Sequence, residues 1–229
     1  SYAASFGMKE IPDSYVNDYK SLLSTFSELS IRENAGQQIV KKLTGKDSEL
    51  SVDPVFLLTA EEWEKLAKKP KLKNYILIYK LNTSNLIFDF ARKLSKLTGR
   101  KIVALNFDVV DQMKTPDIKG VYSASVEEFL GYIKYADYVV TNSFHGTAFA
   151  INFGIDFLTL ARFSEKSKES ENSRVKSILE LLNFDDRLFV SDIISCTVEI
   201  DKEKWKKCEM LLEKKREESK QYLDNILKV

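Results

Sequence analysis

Asn142-Ser143-Phe144-His145-Gly146 holds the only histidine among 229 residues. An imidazole titrates near neutral pH, so it can take a proton from a hydroxyl and return one elsewhere. Residues 136–141 (A-D-Y-V-V-T) read as a short β-branched and aromatic strand, and residues 147–153 as a buried helix. Either Asn142 or Ser143 can cap that helix. A helix that starts where a parallel strand ends presents N–H groups and a positive dipole end, which favour an anion. A solitary histidine is more often a capping or core residue. Its place at a strand end keeps proton transfer beside a bound anion open as the other reading.

Other polar residues fall at expected strand ends, where ligands of parallel α/β sheets bind. Arg32-Glu33 follows a first strand, Asn82-Thr83-Ser84 a central one, and Asn106 and Asp108 the next. Arg162 ends the last strand, and Arg174 follows a polar segment. Arg32, Arg162 and Arg174 carry the forked donors that carboxylates and phosphates prefer. Glu33 reads as a first-turn helix charge. Asp53, before Pro54, fits a turn as well as it fits a functional role. No acidic or sulfur cluster has metal-ligand spacing, and Cys196 and Cys208 with one histidine do not make a zinc site.

The elements that must position these residues alternate between short apolar runs and helical patterns, which predicts an α/β fold with a parallel sheet. Strands are expected over residues 28–32, 51–58, 73–81, 101–107, 136–141 and finally 156–161. Helices are expected over 33–43, 59–66, 84–97, 126–135 and 147–153, with Thr59, Ser84 and Ser125 as caps and Gly45 and Gly99 as stops. Residues 108–122 and 163–174 read as loops. A further helix begins at Arg174, and the last runs from 202 to 227 with Trp205, Cys208, Leu212, Leu223 and Ile226 on one face. That apolar stripe needs a partner: this domain, another domain, or a second copy in a homodimer. No Gly-x-Gly-x-x-Gly or phosphate-loop spacing occurs.

Apolar residues make up 44% of the chain, enough for a core, and charged residues 30%, with net charge +1. That balance gives no reason to expect nucleic acid or an anionic membrane as a partner. No apolar run is long enough to span a bilayer, no signal peptide opens the sequence, and a reduced cytoplasmic setting is expected.

Five segments in order resemble the C-terminal portion of the polysaccharide pyruvyl transferase family. They are residues 2–7 (Y-A-A-S-F-G), 30–33 (S-I-R-E), 52–58 (V-D-P-V-F-L-L), 141–146 (T-N-S-F-H-G) and 172–175 (N-S-R-V). The resemblance runs to about residue 190. It implies a Rossmann-like parallel sheet flanked by helices, as in the C-terminal half of the two-domain glycosyltransferase architecture called GT-B. The domain expected is 1–201, followed by a long amphipathic helix over 202–229, with an N-terminal domain lying outside this chain.

The resemblance also implies an activity: transfer of a pyruvyl group from phosphoenolpyruvate to a sugar as a ketal, without a cofactor or metal. The acceptor would be a sugar of a cell-surface polysaccharide or a lipid-linked glycan, met at the inner face of the membrane. His145 matches the family's histidine before glycine and would be the catalytic acid and base. Arg32, Asn142, Ser143, Phe144, Gly146, Arg162 and Arg174 would bind substrate. Family members commonly carry Arg-Leu-His where this chain has Ser143-Phe144-His145, so one anion-binding arginine is absent; Arg162 or Arg174 could supply it. Two other functions stay open: a GT-B glycosyltransferase using a nucleotide sugar, and a non-catalytic glycan- or nucleotide-binding module. On the first reading the chain by itself is expected to be nearly inactive, because it would supply one wall of the site.

Overall fold

A computed structural model describes residues 1–82, 85–162, 172–189 and 199–228. Expectations for Thr83, Ser84, Cys196 and most of the 163–174 segment fall outside those residues. In chain order the helices and strands are α1 (Val16–Ser24), β1 (Ser30–Ile31), α2 (Asn34–Thr44), β2 (Glu49–Leu50), α3 (Ala60–Glu64), β3 (Tyr75–Tyr79), α4 (Asn85–Thr98), β4 (Lys101–Leu105), α5 (Val109–Lys114), β5 (Lys119–Val121), α6 (Val126–Lys134), β6 (Tyr138–Thr141), α7 (Phe144–Asn152), β7 (Phe157–Leu160), α8 (Asn172–Leu181), β8 (Leu188–Phe189) and α9 (Lys202–Leu227).

Two compact units emerge. One comprises Ser1–Leu57, Arg162–Asp185 and Lys206–Val229; the other comprises Leu58–Ala161 and Asp186–Trp205. The second unit holds a six-stranded, all-parallel sheet in the order β5-β4-β3-β6-β7-β8. This is the Rossmann-like arrangement: the chain builds outward from β3 to β5, then returns to lay β6 on the other side of β3. β3 and β6 are buried along nearly their whole length, so they read as continuous apolar runs instead of alternating ones. Ile87, Phe90, Ala91 and Leu94 of α4 pack with Ile76, Ile78, Ile102 and Ala104 of the sheet.

Local signals account for the helix ends. Thr59 and Ser125 each close a capping box, with Glu62 and Glu128 respectively. Gly45 takes the left-handed conformation that ends α2. The 108–122 stretch is not a plain loop. It contains α5, capped by an Asp108–Asp111 box, and β5, the sheet's outer strand. Nor is 156–161 the last strand, because β8 pairs with β7.

The first unit holds a separate two-stranded parallel sheet, β1 with β2, extended by a bridge from Ala4 to Ile31. The expected first strand therefore shrinks to Ser30–Ile31 and belongs to this small sheet. The expected 51–58 strand is instead a 3-10 turn over Pro54–Leu57. Proline has no N–H for a ladder, and the Asp53 carboxylate accepts the Val55 N–H at 3.0 Å, which closes the turn. α9 lays Cys208, Leu212, Arg216 and Ser219 on its buried face, a spacing of three and four residues. Of the expected stripe, Trp205, Leu223 and Ile226 are half-buried.

Candidate functional site

The reversal of strand order lies between β3 and β6, and at their carboxyl ends the chain concentrates polar side chains. Asn142, just beyond β6, is buried. Its Oδ1 accepts from Leu81 N at 2.8 Å, and its Nδ2 donates to Asn82 Oδ1 at 2.7 Å and Asn82 O at 3.2 Å. It ties the end of β6 to the end of β3. Ser143 is the cap of α7, with Oγ accepting Gly146 N at 3.3 Å. The helix starts at Phe144, earlier than the apolar pattern from Thr147 predicts. His145 therefore lies in its first turn, where the helix dipole presents positive charge.

His145 is exposed while its neighbours on both sides are buried. Phe144 forms an edge-on contact with the imidazole, ring centres 5.4 Å apart. Gly146 has a steric role: a Cβ there would lie 2.4 Å from Thr141 Oγ1 and 3.0 Å from the Tyr79 ring. Thr141 donates to Tyr79 O at 2.6 Å and accepts from Ser143 N at 3.0 Å. Behind it, Thr147 Oγ1 bonds Ser143 O at 3.0 Å and meets Thr159 Oγ1 at 2.8 Å. The strand-to-helix junction is thus fixed from three sides, which holds His145 in one place.

On the β4 side of β3 sits a second group. Lys80 and Asp111 form an ion pair at 2.6 Å with side chains 4% and 1% exposed. Asn106, in the left-handed region at φ 53°, donates from Nδ2 to Lys80 O at 3.0 Å. Asp108 is exposed; the N–H of Asp111 and the charge of Lys80 hold its carboxyl below the usual range. Burial raises the Tyr79 phenol above its ordinary value. Sequence reasoning named Asn82, Asn106 and Asp108 but missed Lys80 and Asp111. The Asp108-x-x-Asp111 capping pattern was a legible signal for α5; the pairing of Asp111 with Lys80, 31 positions away, was not.

The arginines belong to the first unit, and His145 with its neighbours to the second. Arg32 Nη1 is ion-paired with Asp53, whose side chain is 3% exposed. Asp53 therefore serves both as a turn former and as the arginine's partner. Glu33 is not a surface charge at a helix start. It is 0% exposed, and its Oε1 accepts from Phe6 N at 2.7 Å, Ser5 Oγ at 3.0 Å and Gly7 N at 3.3 Å. The Arg174 guanidinium lies against Gly7, 3.8 Å from where a Cβ would be, and Gly7 has a positive φ of 66°. Ser177, on the same helix α8, accepts Asn34 N at 3.2 Å at the start of α2. Arg162 is held by its own N–H, which donates to Asn172 Oδ1 at 3.0 Å. The structure thus gathers Arg32, Glu33, Arg174 and residues 5–7 around the start of α2. Among the described residues there is no cluster of three or more His, Cys, Asp or Glu that could hold a metal ion, and no helix long and apolar enough to cross a membrane.

Comparison with protein families gives one model, polysaccharide pyruvyl transferase, matching residues 1–164. Among curated proteins none matches the chain. Solved structures with a related fold include the UDP-GlcNAc 2-epimerase of Methanocaldococcus jannaschii bound to UDP-GlcNAc and UDP, at 14% identity and TM-score 0.45, covering 69% of this chain and 54% of that one. An E. coli heptosyltransferase with ADP-2-deoxy-2-fluoro heptose matches at 11% identity and TM-score 0.36, covering 64% of this chain and 54% of that one. An O-GlcNAc transferase of Thermobaculum terrenum matches at 11% identity and TM-score 0.40, covering 82% of this chain and 38% of that one. This chain spans less than two thirds of the length of each of these structures.

Proposed function

Because this chain belongs to the polysaccharide pyruvyl transferase family, we propose that it takes part in transferring a pyruvyl group from phosphoenolpyruvate to a sugar of a surface polysaccharide or its lipid-linked precursor. The reaction has two steps at one carbon, an addition and then a substitution. A sugar hydroxyl adds to C2 of the enol phosphate while the methylene carbon takes a proton and becomes a methyl. A second hydroxyl of the same sugar then displaces phosphate from C2, leaving a cyclic ketal and inorganic phosphate. Each hydroxyl must lose a proton, and the methylene carbon must gain one.

The observation that carries this reading is the position of His145, exposed in the first turn of α7 at the carboxyl ends of β3 and β6. An imidazole there can act as base toward a hydroxyl and as acid toward carbon, in a field that favours the donor's negative charge. Asn142, Ser143, Phe144 and Gly146, which surround it in sequence, are assigned to substrate binding. Arg32, Arg162 and Arg174 are the cations assigned to the donor's carboxylate and phosphate, and the Arg32–Asp53 pair supports the first of these by holding one side of the guanidinium. Ser143 stands where the family often has arginine, so the donor relies on these other cations. Acceptor binding is assigned to a further domain, which leaves this chain alone nearly inactive.

The test is to incubate the protein, in the form its organism makes, with phosphoenolpyruvate and candidate sugar acceptors. Acceptor-dependent release of inorganic phosphate with formation of a ketal methyl signal is expected. Turnover of a nucleotide sugar with none of phosphoenolpyruvate would replace this reading with glycosyl transfer.

A further inference from the structure

A cavity of about 520 Å³ opens at the amino edge of the six-stranded sheet, the edge opposite His145, where β4 and β5 begin and α4 ends. Arg92, Lys96, Arg100, Lys101 and Lys119 line it, against a single acid, Asp117. The acid is already committed: Arg92 grips both its oxygens, Nε to Oδ2 at 2.8 Å and Nη2 to Oδ1 at 2.9 Å. Arg100 Nε forms an ion pair with Asp137 Oδ2 at 3.4 Å, a second acid beside the cavity. Among the described residues Lys96, Lys101 and Lys119 enter no ion pair.

Basic residues near a helix C-terminus complement its dipole, and the last carbonyls of α4 have hydrogen-bond partners other than the lysines. Thr98 Oγ1 donates to Leu94 O at 2.8 Å, Gly99 N to Ser95 O at 2.8 Å and Arg100 Nη1 to Thr98 O at 2.9 Å. Lys119 pairs in register with Val103, so Lys101 is its diagonal neighbour on the same side of the β4–β5 ladder. Like charges so placed repel, and an anion lying between them would relieve that repulsion. Lysine ammonium groups act as point charges toward phosphate oxygens.

We infer that this basic cavity binds the phosphate of a phosphorylated ligand, separately from the chemistry assigned to His145. The phosphate could come from a soluble diphosphate or from an anionic lipid headgroup, and the experiment separates the two. Inorganic diphosphate is titrated into the full chain by calorimetry. In parallel the chain is sedimented with phosphatidylglycerol vesicles and with phosphatidylcholine vesicles. Each measurement is repeated on Lys101→Glu/Lys119→Glu, on the milder Lys101→Gln/Lys119→Gln, and on Lys9→Glu/Lys20→Glu as a control for net charge.

Saturable diphosphate binding is expected. It should weaken with added salt, fall by about tenfold or more in both cavity variants and survive in the control. Co-sedimentation with anionic vesicles showing the same variant pattern identifies a headgroup as the source; diphosphate binding alone identifies a soluble ligand. Melting temperatures unchanged in the cavity variants show that the fold is intact. Equal binding by all variants, or binding to neither probe, overturns the inference.

Discussion

The hydroxyl of Thr141 occupies the space in which a side chain at Gly146 would begin: a Cβ built there falls 2.4 Å from Thr141 Oγ1. α7 can approach β6 this closely only because residue 146 is glycine. Thr141 Oγ1 in turn accepts Ser143 N. Gly146→Ala should therefore cost about 1–3 kcal/mol through overpacking. Chemical denaturation measures the loss. Thr141→Ser, which keeps the hydroxyl, should be far milder; a fully stable Gly146→Ala would show that the junction yields.

The Arg32–Asp53 pair should behave as a partly buried unit. Removing one partner of a buried pair typically costs about 3–5 kcal/mol, and Arg32, being 17% exposed, should show less than that. Asp53→Asn, which keeps an oxygen for the Val55 N–H, is expected to destabilise through the lost charge, Asp53→Ala to loosen the Pro54 turn as well, and Arg32→Met to lose less. A double-mutant cycle gives the coupling. A coupling near zero would mean that Asp53 acts only on the turn.

α9 fastens the same turn from outside. Ser219 Oγ accepts Val52 N at 3.1 Å, and Arg216 Nε donates to Phe56 O at 2.7 Å, one on each side of Asp53. Arg216→Ala should cost about 1.5–3 kcal/mol, and Ser219→Ala about 1 kcal/mol. Urea melts of the single variants test both figures.

Stability should fall at alkaline pH. Burial pushes the Cys208 thiol up from its ordinary 9.0 to about 12, and the Tyr2 phenol from 10.0 to about 12. Between these values the unfolded chain has released protons that the folded chain keeps. The contribution is complete below about pH 8.5 and is lost as pH rises toward 12, at up to about 1.4 kcal/mol per pH unit for each group. Denaturation at about pH 8 and about pH 11 should show the loss, with a smaller loss in Cys208→Ala. An identical slope in that variant would contradict the role of the buried thiol.

Local signals made the helices and the central strands legible in the sequence. The runs at β3, β4 and β6 are apolar, and Thr59, Ser125, Gly45 and Gly99 mark helix ends by side-chain and backbone preferences that need no tertiary contact. The small sheet was illegible because Ser30–Ile31 finds its partner in Glu49–Leu50 through the fold, not through pattern. The apolar 51–58 segment looked like a strand until Asp53 and Pro54 are seen closing a turn. At the site, the His145 junction was legible from its strand-to-helix position. The buried roles of Glu33 and of the Lys80–Asp111 pair were not, because a charged residue is normally exposed and only its distant partners reveal otherwise.

The central claim is that His145 moves the protons of pyruvyl transfer. The direct measurement is a phosphorus NMR time course of phosphoenolpyruvate with a sugar acceptor, comparing the protein in its natural form with His145→Gln. The account predicts acceptor-dependent phosphate release in the first and a fall of about 10²–10⁴-fold in kcat in the second, with melting temperature unchanged because His145 is exposed. Phosphate release by His145→Gln at the unaltered rate would contradict it.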